Sequence, residues 1–133
     1  MKNNMSEVNA SILSPLVLAY IGDGVYELFV RNKLILEHPQ TPPSKLHKLS
    51  SACVKAHSQS NSMKVIEPIL NEKELSVYKR GRNAKSQTVP KNADVTDYRR
   101  ATGFEALIGY LYLEKEIERL DEIMNLAFLN YTD

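Results

Sequence analysis

An all-α helical bundle is the fold class predicted by this chain of 133 residues. Three observations predict it. Apolar residues recur at spacings of three and four over several long stretches, the period of one helix face. Ser, Asn or Asp stands where helix N-caps belong. No convincing period-2 run is present, tryptophan is absent and there are only five glycines, which argues against an all-β chain.

The elements follow in order. Residues 1–13 lack a basic stretch followed by an apolar one, so they do not resemble a secretion signal and read as a flexible tail. Ser14-Pro15 reads as a cap and first helical residue. Leu16, Val17, Tyr20, Ile21, Val25, Leu28 and Phe29 continue a helix to about Leu36. Gly22 and Gly24 inside it each cost about 1 kcal/mol against alanine, so something must compensate for them. His38 to Pro43 is a rigid, non-helical linker. Ser44 is expected to cap a second helix with Leu46, Leu49, Cys53 and Ala56 inward. It would continue to Met63–Ile66 and break near Pro68. Asn71 with Glu74 forms a capping-box pattern. The helix it starts carries Leu75 and Tyr78 inward and is expected to stop at Gly81. Arg82 to Ala93 reads as a polar loop. Asp94 caps a long helix with Asp97 at its third position and Phe104, Leu107, Ile108 and Leu111 as its stripe. A last helix over 118–129 buries Leu120, Ile123, Met124, Ala127 and Phe128. The whole reads as one domain, because two halves of this length could not each build a core.

Composition excludes several classes. At 43% hydrophobic residues the chain can fold and is not a disordered tail. Mean hydropathy is −0.34 and no apolar run approaches the roughly 20 residues that cross a bilayer, so no membrane association is expected. The single cysteine, Cys53, excludes an internal disulfide and a multi-cysteine zinc site. It points to a reducing, cytoplasmic setting and reads as a buried inert thiol. His38, His47 and His57 have no ligand spacing, and Ser50, Ser51, Ser58, Ser60 and Ser62 decorate a helix with no nucleophile pattern.

Charge is balanced overall, 17 bases against 16 acids, but not locally. Residues 79–100 hold seven bases and two acids, a local charge of +5. Residues 114–133 hold six acids and two bases, or −4. A basic patch on a neutral chain suggests a local polyanion site; a solvated face is the plainer reading.

Two carboxylates stand in apolar surroundings. Asp23 lies in LAYIGDGVYELFV and Glu105 in ATGFEALIGYLYL, each with glycine nearby. An unpaired buried carboxylate costs several kcal/mol. Glycine there would admit another helix, a metal or a substrate backbone. Three readings are open: each acid pairs with a base or caps a backbone group, the two share a proton, or they hold a hard cation. Mg²⁺ often uses one or two carboxylates with waters and substrate phosphates. The basic segment just before the Glu105 helix fits that third reading best. Glu27, one turn after Asp23, reads as solvated or ion-paired.

These residues also carry a resemblance. LAYIGDGVYELFVR resembles the signature helix of the ribonuclease III family, and FEALIGYLYL resembles its second motif. Lys79-Arg80-Gly81-Arg82-Asn83-Ala84 followed by Thr88-Val89-Pro90-Lys91-Asn92 is similar to the loop of the Mini-ribonuclease III branch. The resemblance spans residues 14 to 128. It implies a nuclease-domain bundle and places Asp23 and Glu105 as catalytic and metal-binding residues. It implies Mg²⁺ as cofactor, with Mn²⁺ able to substitute. By the resemblance, two further family glutamates correspond to Leu16 and Ala19, and another carboxylate to Thr102; this leaves open whether one or two metal ions bind, and keeps the site shared by Asp23 and Glu105.

The implied activity is hydrolysis of double-stranded RNA to 5′-phosphate and 3′-hydroxyl ends. The implied substrate is a stem of precursor large-subunit (23S) ribosomal RNA, and a large-subunit ribosomal protein is a candidate to present it. There is no room for the separate RNA-binding domain of larger relatives. Arg80, Arg82, Asn83, Lys85 and Lys91 are therefore the expected RNA contacts. A homodimer is expected, with Tyr20 inserted into the partner, because Tyr20, Ile21, Val25 and Phe29 are too many for one small core. A non-catalytic RNA-binding module that kept the fold is the alternative.

Overall fold

The computed structural model describes residues 9–85 and 89–133. Among these, six α-helices and two 3₁₀ turns account for the regular structure, with no strand. The helices are α1 (Pro15–Glu37), α2 (Pro43–Val54), α3 (Ala56–Ile66), α4 (Glu72–Arg82), α5 (Val95–Leu113) and α6 (Ile117–Leu129). The 3₁₀ turns are Ala10–Ile12 and Glu67–Ile69. No helix among the described residues is long and apolar enough to cross a membrane.

Local chemistry sets most boundaries. Ser14 accepts from the Val17 N–H, Asp94 from the Asp97 N–H, and Asn71 and Glu74 close a full capping box. Helix α5 is the axis of the molecule: α1, α3, α4 and α6 all pack on it. Its Phe104, Leu107, Ile108 and Leu111 are fully buried. Tyr26 of α1 meets the Phe104 ring edge-on, 4.9 Å between centroids.

Two glycine crossings bring the helices close. A Cβ on Gly22 would lie 1.8 Å from the Glu105 carbonyl oxygen, and one on Gly109 would lie 2.0 Å from that of Leu18. Helices α1 and α5 therefore touch backbone to backbone, and this contact compensates for Gly22. Likewise Gly81 of α4 meets Gly103 and Ala106 of α5, and Gly103 lies against the Tyr78 ring.

Several sequence expectations are corrected. The second helix is two. Its cap is Pro42 with Pro43 at the first helical position, so Ser44 lies inside it. At Lys55 ψ swings to 157° and breaks the ladder; the Ala52 carbonyl near the break accepts from the Ser58 hydroxyl. Leu49 is exposed, while Leu46, Leu75 and Phe128 are only partly buried. Helix α4 does not stop at Gly81, because that glycine serves the crossing and keeps helical backbone; α4 ends at Arg82. Residues 9–13 are not a loose tail: Ala10 is fully buried and its N–H donates to Glu114. Residues 1–8 lie outside the described residues.

Of the five serines, Ser51 is exposed and Ser50, Ser58, Ser60 and Ser62 are buried. Ser58, Gln59, Ser60, Asn61 and Ser62 are all buried where α3 packs between α5 and α6. The Ser62 hydroxyl donates to the Ser58 and Ala127 carbonyls, and the Asn61 amide to the Tyr131 carbonyl and Asp133. Cys53 is buried, as expected, and burial pushes its thiol up.

Candidate active site

The α1–α5 crossing decides where the acids lie. Gly22 sits on the Glu105 carbonyl, so the next residue, Asp23, is carried to the side of Glu105. Their side chains come within hydrogen-bonding reach. Glu105 is largely enclosed, and its carboxyl is pushed up to about 8. Burial is the main cause, followed by the charge of Asp23 and the hydrogen bond with it. Gln59 of α3 opposes these effects by favouring the ionised form.

Asp23 differs from the sequence expectation: it is exposed. A one-sided apolar neighbourhood along the chain left its other side open to solvent. Gly103 likewise does not open access to Glu105, since it is filled by Tyr78. Gly24 faces open space, with no atom within 4 Å of a Cβ built there.

Neither Asp23 nor Glu105 takes part in any ion pair among the described residues. Two adjacent oxygen donors with no protein cation, one of them facing solvent, fit a hard divalent ion that keeps several waters. No group of three or more His, Cys, Asp or Glu able to hold a metal occurs among the described residues. The positions that the resemblance sets against other family carboxylates are Leu16, Ala19 and Thr102. Leu16 is exposed and Ala19 is buried. Thr102 is buried and donates to the Tyr98 carbonyl.

The basic residues gather at the end of α4. Gly81 packs on residues 102–106 of α5, which sets that end within a turn of Glu105 along the helix. The Arg80 guanidinium donates to the Leu13 carbonyl. Arg82 lies 5.7 Å from the Tyr78 ring centroid and donates to the Asn83 side chain at 3.1 Å. Lys85 and Lys91 are exposed; residues 86–88 between them lie outside the described residues.

Tyr20 is 83% exposed. Ile21, Val25 and Phe29, expected with it on a partner face, instead pack against the core. Beside Leu16, the exposed apolar residues of this helix half are Val17, Tyr20 and Leu28. With Gly24 they share one helix face. Glu27 pairs with Arg31 at 3.4 Å. His57 lies between Asp97 at 2.8 Å and Asp133 at 3.0 Å, and these hydrogen bonds, that of Asp97 first, raise its pKa.

Sequence reasoning passes over two residues. One is Gln59, for which the available signal is a wholly polar stretch, 57–62, between apolar helices. The other is Arg119, which donates to both oxygens of the buried Glu74 at 2.9 and 2.8 Å.

Comparison with known proteins identifies the family. The Ribonuclease III domain family matches residues 16–116. Mini-ribonuclease 3 of Clostridium tetani is 54% identical over 121 residues, covering 91% of this chain and 80% of that protein. Mini-ribonuclease 3 of Staphylococcus aureus is 41% identical, covering 92% of each. A crystal structure of a protein from Fusobacterium nucleatum superposes with a TM-score of 0.79 at 33% identity, covering 89% of this chain and 93% of that one. With the domain match, relatives of this identity and the shared fold, the chain belongs to the ribonuclease III domain family, in its Mini-ribonuclease 3 branch.

Proposed function

We propose that this endoribonuclease cleaves double-stranded RNA with Mg²⁺ held by Asp23 and Glu105. The observation that carries the reading is the juxtaposition of two carboxyl groups with no protein cation between them. Bound there, a divalent ion supplies charge neutralisation and a more acidic water. Glu105 must release its proton to act as a ligand, and Asp23, facing solvent, admits the phosphate. Water oxygen attacks phosphorus and the bond to the 3′ oxygen breaks, leaving 5′-phosphate and 3′-hydroxyl ends. Arg80, Arg82, Lys85 and Lys91, with Asn83, hold neighbouring phosphates and 2′-hydroxyls, since side chains do not read the narrow major groove of A-form RNA. The substrate is a stem of precursor 23S ribosomal RNA in the cytoplasm, and a large-subunit ribosomal protein can present it.

Duplex RNA incubated with Mg²⁺ or with EDTA tests this reading. Cleavage is expected only with metal, and Asp23→Asn should lower it by at least about a hundredfold while leaving the fold intact. Mn²⁺ is expected to replace Mg²⁺. Binding without cleavage in Mg²⁺ would establish instead a non-catalytic RNA-binding module.

The working unit in this proposal is a two-fold homodimer. Two sites related by a two-fold axis suit the two antiparallel strands of a duplex. Val17, Tyr20 and Leu28 form an exposed apolar face, and the open space at Gly24 lets a second helix approach closely. Tyr20→Ala should shift sedimentation toward the monomer and reduce double-strand cutting more than nicking. A wild type that sediments as a monomer with and without duplex RNA, yet cuts both strands together, overturns the dimer.

A further inference from the structure

Helix α3 is short, polar and enclosed, and its hydrogen bonding is uneven. Ser58, Asn61 and Ser62 each reach a partner on the chain. Gln59 is only 2% exposed, yet neither Nε2 nor Oε1 closes a hydrogen bond of normal length and angle. A buried amide without partners is unfavourable and is uncommon enough to require a reason. Its neighbour on α5 is Glu105, the enclosed member of the carboxyl pair.

A primary amide offers two N–H donors. Glu105 needs a donor only when ionised. Protonated, it can share its hydrogen with Asp23; as a metal ligand, it turns one oxygen to the cation and leaves the other for a neighbour. Ligating carboxylates are hydrogen-bonded in just this way, and such partners fix the orientation of the ligand. Among the described residues no Lys or Arg is among the groups acting on Glu105, and Gln59 is a neutral donor beside it.

We propose that Gln59 is a positioning residue: its amide N–H donates to the Glu105 carboxylate and holds it in the orientation that ligates the divalent ion. The proposal rests on the metal reading of Asp23 and Glu105 above. It explains why a polar side chain with no well-formed hydrogen bond among the described residues is kept in the interior. The amide has no contact with RNA and is not itself catalytic.

The test uses the full chain with Mn²⁺ alone, without RNA, and reads affinity by electron paramagnetic resonance. Gln59→Met keeps length and volume and removes both polar atoms. It should fold with an unfolding temperature equal to or above wild type, because a buried unpaired amide is removed. Its Mn²⁺ affinity should fall about ten- to hundredfold. The Mg²⁺ concentration for half-maximal cleavage of duplex RNA should rise in step. If the methionine variant misfolds, Gln59→Leu carries the same measurements. Mn²⁺ affinity within about twofold of wild type in a folded variant overturns the role of Gln59, since such partners are worth far more. Asp23→Asn separates the two failures. If it abolishes Mn²⁺ binding while the Gln59 variants keep it, only this inference falls. If wild type shows no Mn²⁺ binding that depends on Asp23, the metal reading falls and this inference with it.

Discussion

Glu74 and Glu105 are both enclosed carboxyls on helices packed in the same bundle, yet their surroundings treat charge oppositely. Glu74 is 2% exposed and held by Arg119, which also donates to the Ile69 carbonyl and to Glu122. Burial pushes Glu74 up, but the Arg119 hydrogen bonds and that from the Asn71 N–H outweigh it, and the net direction is down. Glu105 has burial and Asp23 acting in the same upward direction. The first arrangement stores an ion pair that ties α4 to α6. The second leaves an acid that takes on its charge only when something positive arrives. An enclosed acid with a cation is a structural joint, and one beside a second acid is a site in waiting.

The comparison can be broken at either end, and the largest effect is expected at Glu74. Arg119→Ala leaves that carboxylate buried without its cation and should cost about 3–5 kcal/mol. Urea unfolding at neutral pH measures this, and a destabilisation below about 1 kcal/mol, the range of a surface pair, would show that Glu74 is not held as described.

A comparable effect of opposite sign is expected at Glu105. In the folded chain its proton is held to about pH 8, whereas the ordinary value is 4.5. The folded state therefore binds more protons. That advantage is complete below about pH 4.5 and disappears as pH rises through 8. Glu105→Gln removes the need to ionise. In EDTA it should match wild type near pH 4.5 and exceed it at pH 8 by up to about 4 kcal/mol. Thermal unfolding at the two values checks the sign; an equal difference at both would sever the link to ionisation. For Glu74 the sign reverses: its lowered carboxyl stabilises above the ordinary value, and that stability disappears as pH falls.

The smallest effect concerns how the site meets its substrate. Arg82→Ala and Lys85→Ala should leave stability and metal affinity unaltered. For each phosphate that a variant no longer neutralises, the slope of log K against log salt should fall by about 0.7–0.9. An unchanged slope in the double variant would mean that this basic end is a solvated face.

Much of this is legible along the chain. Asp94, Asn71 and Ser14 announce helix starts because capping is local chemistry between residues three apart. The stripe of α5 announces the core because periodicity needs no partner to be read. Asp23 and Glu105 stand out for the same reason, as charges in apolar runs. The misjudgements share one cause, the direction a residue faces. Asp23 has apolar neighbours in sequence but solvent beside it. Gly81 looks like a stop and is a crossing point. Ser58 and Ser62 carry no signal along the chain and are interior hydrogen-bonding groups. Arg119 belongs to an acidic stretch, and nothing nearby marks Glu74, 45 residues away, as its partner.

The sequence by itself therefore determined most of the helices, the caps at Ser14, Asn71 and Asp94, the α5 stripe and the two carboxylates set in apolar runs, because each depends on residues within a turn or two of one another. Only the tertiary structure decided that Gly22 and Gly109 would close the α1–α5 crossing, that this contact would set Asp23 beside Glu105, and that α3 would turn Gln59 toward them. Those outcomes depend on backbone approach and burial between segments far apart in the chain, and such contacts exist only once the whole bundle has packed.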